Sequence, residues 1–369
     1  QESQGTTSGG GGGWGGGWGG GWGGGWGGGG SRSVCNISSR TQTQTTTTSY
    51  QRIDTTVTSQ VFNNWTYKQV TFDVSGLKAG GSSWNNSVSL PIGTNGTNTK
   101  IAWNGCIEER QTYMNNGGDP SNDWSPIPSS AYDMNIDMVP DASVPGSQWG
   151  PILPAAVWGR YNGWNPTLST NTTTSDLTSD NYNNNVYCPT PSRKLQVYST
   201  AAPLEAYVNS LTATGNTYHD IGLIWGARLL SPTGIFASEN AATPTGGAIQ
   251  RNLIFMTDGD TQTAADNYGA YGVTWWDRRQ TTYNPSQYGF NDQLDAIVNA
   301  RTDALCTAIK NKNITMWVIS YGGGINPTTE ARLQACATPG HYFAASNRTD
   351  LIAQFRQIAS EIAELRLTY

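Results

Sequence analysis

The sequence predicts an α/β fold for residues 201–369, in which a parallel sheet is covered by helices. Two apolar runs, "LIFM" at 253–256 and "ITMWVIS" at 314–320, have the length and composition of buried parallel strands. Segments with the apolar spacing of amphipathic helices alternate with these runs along the chain. This alternation of strand and helix is the main evidence for the fold class.

The predicted helices are arranged in order around the two strands. "APLEAYVNSL" and "DIGLIWGARLLSP" precede the first strand, a long helix joins the strands, and "TTEARLQA" and a final helix follow the second. The residues on the apolar faces are Leu204, Tyr207, Val208 and Leu211, then Leu294, Ile297, Val298, Leu305 and Ile309, then Leu351, Phe355, Ile358, Ile362 and Leu365. "SNRTD" offers capping residues at the start of the final helix.

Residues 1–34 form a low-complexity arm in which Trp14, Trp18, Trp22 and Trp26 recur every fourth residue in a run of glycine. Glycine loses the most backbone entropy on ordering, so an ordered arm needs outside contacts, which the tryptophans would supply. Composition alone favours a flexible linker. The alternative is an assembly arm whose Trp side chains pack on the protein's own domain or on a neighbouring subunit.

Residues 35–200 are predicted to be β-rich and irregular. The stretch from residue 41 to residue 74 is rich in β-branched and aromatic residues in near-alternation, and Asn95-Gly96 is a hairpin turn signal. Turn-forming residues dominate from 107 to 200, where few periodic segments occur. This region is therefore expected to act as a large insert before the sheet domain.

The five cysteines are scattered and contain no CxxC pair, which argues against a zinc site. Cys106 and Cys188 bracket the irregular region, so a disulfide between them would restrain it. Cys306 in the long helix and Cys336 after the next predicted helix are expected to join two neighbouring elements. Cys35 is then unpaired or bonded to another chain. Disulfides indicate an oxidising, extracellular compartment.

The composition excludes several classes of protein. Only 13% of the residues are charged and the net charge is −5, so the chain lacks the basic face that nucleic-acid binding needs. No apolar run approaches the ~20 residues of a membrane-spanning helix. Gln1 is interpreted as a processed end or as the start of a fragment.

Thr217 and Asp258 are the residues best placed to hold a cation. Asp258 follows the predicted strand at 253–256, at the edge where open parallel sheets bind ligands, and Thr217 precedes a predicted helix. A hydroxyl and a carboxylate from such loops suit Mg²⁺. The competing interpretation, which the spacing favours, is that Thr217 caps the helix and Asp258 belongs to a strand-to-helix turn.

Other polar residues give weaker signals. His219 and His341 are the only histidines, and no Ser or Cys is placed beside either as a nucleophile, so we predict that the protein is not an enzyme. The residues at 108–110 ("EER") form either a buried ion network or a solvated patch. Those at 277–279 ("DRR") form either a salt-bridged turn or a partner site.

Several stretches carry a resemblance to a known family. They are "TYHDIGLIWGARLLSPTGIF", "LIFMTDGDT", "CATPGHYFAASN" and "IAQFRQIASEIAELRLTY", with "FDVSGLKAGG" and "WNGCIEERQTY" further upstream. Together they resemble the C-terminal part of TadG-like proteins, the von Willebrand factor A-type proteins of bacterial Tad pilus systems. The resemblance spans about residues 65–369 and leaves out the Gly-Trp arm. It implies a von Willebrand factor A-like, Rossmann-type sheet domain and a non-enzymatic role in adhesion or assembly at the cell surface.

The resemblance also implies an incomplete metal site. In this family a DxSxS loop after the first strand joins a Thr and an Asp, which Thr217 and Asp258 match. The DxSxS loop is absent, because "DVSGL" at 73–77 places Leu77 at the last hydroxyl position and turn and strand signals follow it. The alternative function is a cation-dependent ligand-binding receptor. In that case a separate polypeptide supplies the missing strand, and the completed site binds a cation such as Mg²⁺.

The missing strand has a structural consequence, because the family's first strand is central in the sheet. Its absence would leave the strand at 253–256 with an open edge. One explanation is a larger precursor whose cleaved N-terminal fragment stays bound and supplies the partner of Cys35. The other is strand addition by a second copy or by a pilus or surface component, which would make the chain a filament subunit with the Gly-Trp arm as a connector.

Overall fold

The computed structural model describes residues 61–158, 161–162, 165–166, 172–175, 186–243, 245–283 and 290–365. They form a mixed α/β fold, and those from Asn63 onward belong to one compact unit. The Trp residues of the Gly-Trp arm and Cys35 lie outside the described residues, so the expectations for them stay predictions. In the described ranges, none of the helices has the length and apolar character needed to cross a membrane.

Short strands and turns make up the region before residue 200. The strands are β1 (Trp65–Tyr67), β2 (Lys78–Gly80), β3 (Ser83–Trp84), β4 (Ser87–Leu90), β5 (Thr99–Ala102), β6 (Ile107–Glu108), β7 (Gly150–Pro151), β8 (Tyr161–Asn162), β9 (Asn165–Pro166) and β10 (Thr172–Thr174). The predicted turn joins β4 to β5, which pair antiparallel. Asn95 and Gly96 have φ values of 55° and 74° there, and this left-handed backbone explains the Asn-Gly pair.

Helices and longer strands follow from residue 202. They are α1 (Ala202–Val208), α2 (His219–Leu230), α3 (Ala237–Asn240), β11 (Arg251–Thr257), β12 (Tyr268–Gly269), β13 (Gly272–Val273), α4 (Thr274–Asp277), α5 (Phe290–Lys310), β14 (Ile314–Tyr321), α6 (Pro327–Cys336), β15 (Tyr342–Ala345) and α7 (Arg348–Leu365). All the helices predicted from apolar spacing are present. β15 was not predicted, since a run of four residues is too short to show a pattern.

A three-stranded parallel sheet is the centre of this half, with the strand order β11–β14–β15. Arg251 pairs with Ile314 and Thr257 with Ser320, so β11 and β14 are in register over the whole of β11. The two connections, through α5 and through α6, place both helices on one side of the sheet, as right-handed crossovers require. We call this side the front face.

The front face is fully covered. Leu253 of β11 and Val318 of β14 pack with α2, α5 and α6 in the main core, and the predicted apolar face of α5 is buried throughout. α2 approaches β11 closely because Gly226 faces the strand, where an added Cβ would lie 3.3 Å from Leu253 Cδ1. Each fully buried Leu, Ile or Val contributes ~1.5–3 kcal/mol to this core as an upper estimate.

In the part of the chain that the structure describes, α7 is the helix that packs on the opposite side, the back face. Its residues Leu351, Ile358 and Ile362 contact Trp317 and Ile319 of β14, together with β15. The side chain of Asn347 accepts hydrogen bonds from the backbone N–H groups of residues 349 and 350 and so caps the helix start. The predicted apolar stripe of α7 is wrong at Phe355, because this side chain is exposed at the margin of the contact with the sheet and is not buried within it.

The described cysteines form two disulfides. Cys106 is bonded to Cys188, with Cα atoms 6.0 Å apart, and Cys306 of α5 is bonded to Cys336 of α6, with Cα atoms 5.0 Å apart. These are the two pairings expected from the sequence. The second bond joins two helices of the front face, and the first restrains the irregular region at both ends.

Candidate functional site at the edge of the sheet

Thr217 and the loop that follows β11 lie side by side at the carboxyl end of the strand. The backbones of Thr217 and Gln262 exchange two hydrogen bonds, with N–O distances of 2.9 and 3.1 Å. Asp258 begins the same loop and is exposed. Both predicted cation ligands therefore lie at one edge of the sheet.

A complete cation site needs more ligands than these two residues. Across the described ranges, no three or more His, Cys, Asp or Glu side chains are grouped so that they could hold a metal ion. The "DVSGL" stretch does not complete the set, because Asp73 accepts a hydrogen bond from the Ser75 N–H at 2.9 Å in a local turn and β2 begins at Lys78. Thr217 and Asp258 stay predicted ligands of an incomplete site.

His219, the first residue of α2, is buried against the loop after β11. Its ring nitrogens lie 3.0 Å from Thr257 Oγ1 and 3.1 Å from Thr261 Oγ1. Thr261 Oγ1 also donates to Asn299 Oδ1 at 2.8 Å, which extends the chain of hydrogen bonds to α5. Burial, and then the nearby Arg332, lowers the pKa of His219. The neutral imidazole therefore connects three elements and does not face solvent as a catalytic base.

A buried ion network joins the region before residue 200 to the sheet domain. Arg228 of α2 donates to both carboxylate oxygens of Glu109, at 2.8 and 3.2 Å. The indole N–H groups of Trp149 and Trp225 donate to the same carboxylate at 3.0 and 2.7 Å. Burial raises the pKa of Glu109, but Arg228 and these hydrogen bonds outweigh that effect and lower it. The "EER" stretch is therefore part of a buried network and not a solvated patch.

Arg301 of α5 is the centre of a second part of this network. Its Nε donates to Asp220 Oδ2 at 2.6 Å, its Nη2 donates to Asp133 Oδ2 at 2.9 Å, and the same Nη2 contacts the Tyr271 hydroxyl. All four residues are buried. Burial lowers the pKa of Arg301, but Tyr271 and the two carboxylates raise it well above its usual value. Asp133 comes from the region before residue 200, so this contact also ties the two regions together.

Arg279 belongs to the same structural connection. It pairs with Glu108 at 2.9 Å, and its Nη2 donates to the carbonyl oxygens of Glu109 and Arg110. Asp277 accepts a hydrogen bond from the backbone of the preceding turn. The "DRR" stretch therefore includes a salt-bridged turn in which Arg279 is engaged within the chain.

Arg110 is buried with backbone partners. It donates to the carbonyl oxygens of Met138 and Asn135 at 2.7 and 3.1 Å, and its guanidinium lies 4.2 Å from the ring centroid of Trp149. Burial, and then the charge of Arg228, lowers the pKa of Arg110 to about 10. Arg110 thus stabilises the turns before residue 150 and is not exposed to a ligand.

β11 is an edge strand without the usual protection. Among the residues that the structure describes, it pairs with β14 alone, so the backbone groups on its other side face no strand. Its seven residues contain no Pro or Gly, and Arg251 is held by the carbonyl oxygens of Leu230 and Ile249. Native edge strands are commonly protected by exposed charge, proline, a bulge or short length. β15, the other edge, is protected by its four-residue length.

The back face beside this edge exposes a set of apolar side chains. Ile254 and Met256 of β11 are 40% and 48% exposed, and Ile352 and Phe355 of α7 are each 40% exposed. We call these four residues the open strip. Large apolar side chains grouped on a surface commonly mark an interaction site.

The direction of α7 puts its flank with Ile352 and Phe355 on the side of the helix toward β11. α7 lies over β14 and β15, and its chain runs opposite to β15. The right-handed turn of the helix then directs the flank with Ile352 and Phe355 toward β11. The family resemblance implied an open edge at β11, but the sequence did not predict this flank, because Ile352 lies outside the apolar stripe of α7.

Comparison with family models, with curated proteins and with solved structures found no match to this chain.

Proposed function

We propose that this chain is a non-enzymatic, extracellular bacterial surface protein that works in adhesion or assembly. The observation that carries the proposal is the open edge of β11 beside the open strip. A strand with free backbone groups next to exposed apolar side chains is suited to strand addition, in which main-chain hydrogen bonds give affinity and side chains give specificity.

Two features support the extracellular location and the kind of domain. The disulfides Cys106–Cys188 and Cys306–Cys336 are typical of an oxidising compartment. The parallel sheet with helices on both faces is compatible with a von Willebrand factor A-like domain whose first strand would lie beside β11. The TadG-like motifs support a pilus-associated role, with the Gly-Trp arm as a second connector.

Electron microscopy of the native, purified protein tests this proposal. We expect regular polymers, and we expect Met256→Lys to abolish them, because a lysine on an edge strand opposes pairing. Val70→Lys is the matched control, since Val70 is also about half exposed but lies far along the chain from β11. The thermal midpoint of both variants should stay close to that of the wild type.

Two results would contradict the proposal. Isolated particles of this chain alone would leave the open edge without a role in assembly. Polymers that persist in Met256→Lys would show that association uses another surface. Isolated particles that contain a second polypeptide bound at β11 would retain the strand-addition site and identify the partner as a different chain.

A cation-dependent receptor is the second candidate function. It is favoured by the position of Thr217 against the loop that carries Asp258 at the carboxyl end of β11. The strand that adds to β11 would supply the remaining ligands. In this case a chelator and Asp258→Asn would each abolish partner binding, whereas in the assembly function neither would change polymer formation.

A further inference from the structure

Helix α1 and the residues after it present apolar side chains that are about half exposed. None of the seven residues of the helix is buried. Leu204 and Val208 lie one turn apart on the helix, Leu211 follows its end, and the three are 44%, 53% and 53% exposed. We call these three residues the α1 stripe. An amphipathic helix with an exposed apolar side is a common element of recognition between proteins.

The margin of the α1 stripe is attached to the rest of the chain through Tyr207, which lies one turn from Leu204. The Tyr207 hydroxyl donates to the Pro191 carbonyl oxygen at 3.1 Å, and the Arg193 guanidinium lies 4.3 Å from the centroid of the Tyr207 ring. The helix is therefore attached to the chain through Tyr207, while Leu204 and Val208 beside it stay about half exposed.

The α1 stripe and the open strip are both apolar, and the charges beside them are opposite. The stripe is carried by a single helix, and the open strip is formed by β11 and α7 on the back face. Arg348 and Arg356 lie on the exposed flank of α7, and Glu205 is the charged residue of α1. Complementary charges around an apolar contact favour the correct partner over others.

We propose that α1 of one copy packs in the open strip of a second copy. The inference rests on the proposed role in assembly and names the partner as another copy of this chain. Because the stripe and the strip are different surfaces, the contact is heterologous, and repetition of it produces a ring or a filament. Burial of Ile254 and Met256 by the incoming helix would occur beside the strand edge that the proposed function uses.

Two variants, each altered on one side of the contact, test the proposal. The helix variant is Leu204→Arg with Val208→Arg, and the strip variant is Ile352→Arg with Phe355→Arg. Both are made in the full chain with Cys35→Ser, so that no disulfide through Cys35 joins the copies. Arginine is used on both sides because the doubly altered contact is then repulsive. Sedimentation velocity measures association, and thermal unfolding verifies that each variant is folded.

We expect the Cys35→Ser chain to associate and each variant alone to associate at least about tenfold more weakly. An equimolar mixture should form heterodimers, because the strip variant keeps its helix and the helix variant keeps its strip. Three outcomes each overturn the proposal: a Cys35→Ser chain that is monomeric at all concentrations, a folded variant that associates as strongly as its parent, and a mixture that stays monomeric.

A charge exchange gives a second, independent test. Glu205→Arg should weaken association, and Arg348→Glu with Arg356→Glu in the same chain should restore it. Glu364→Arg, on the opposite flank of α7, is the control and should have no effect. Failure of this inference is distinguishable from failure of the proposed function: if only Met256→Lys prevents polymers, strand addition stands and the α1 contact falls.

Discussion

The two faces of the parallel sheet differ sharply, although the same strands build both. In β11, Leu253 packs in the main core on the front face, whereas its neighbour Ile254 is exposed on the back face. Among the described residues, the front face is covered by α2, α5 and α6, and the back face by α7 over β14 and β15. The seven-residue strand β11 therefore has a buried side and a partly exposed side.

This difference separates stability from association. On the front-face side, the buried ion pairs of Arg228 in α2 and Arg301 in α5 connect the sheet domain to the region before residue 200. Substitution of these residues should therefore destabilise the folded chain. The open strip has little cover to lose within one chain, so a change there should act on contacts between chains. Five substitutions, one of which is a control, test the comparison on the isolated chain.

Arg301→Met should have the largest effect on stability. It removes the cation between Asp133 and Asp220 and leaves two buried carboxylates without a cationic partner, which costs about 3–5 kcal/mol. The free energy of unfolding in urea measures the loss. Arg356→Met on the exposed flank of α7 is the matched control and should change stability by less than about 0.5 kcal/mol. Similar losses in both variants would contradict the assigned role of Arg301.

Alanine substitutions at adjacent positions of β11 compare the two faces directly. Leu253→Ala should cost about 2–5 kcal/mol because it leaves a cavity in the main core. Ile254→Ala should cost less than about 1 kcal/mol in the monomer, because the side chain is partly exposed already. Urea unfolding at a protein concentration below association measures both. Equal losses would mean that the back face is covered in the monomer.

His219, beside the carboxyl end of β11, should give stability a pH dependence that is smaller than the losses predicted above. The pKa of His219 is lowered on folding, so the unfolded chain binds more protons and stability falls as pH decreases below the unfolded pKa of about 6.5. The contribution is complete above that pH, and the slope from one group is at most about 1.4 kcal/mol per pH unit. His219→Gln should reduce this slope. An unchanged slope would contradict a buried, neutral His219.

The sequence was sufficient for the elements whose patterns are local. The periodic apolar residues of α5, the Asn95-Gly96 turn and the parallel strands β11 and β14 were all predicted. An open edge at β11 was expected only from the resemblance to a family whose first strand has no counterpart in this chain. The sequence did not decide whether the charged residues form a buried ion network, because the partners are far apart along the chain. Arg301 and Asp133, for example, are separated by 168 positions. The exposure of Phe355 was missed because helical spacing does not reveal how much of a helix its neighbour covers.

The most direct test of the central claim is hydrogen exchange at the backbone of β11. The associated wild-type protein is compared with the Met256→Lys chain, with the amides of β15 as an internal control. If the open edge is where chains assemble, the β11 amides should exchange at least about tenfold more slowly in the associated protein, and those of β15 should not change. Equal exchange at β11 in the two samples, while the wild type is associated, would show that the open edge is not the site of assembly.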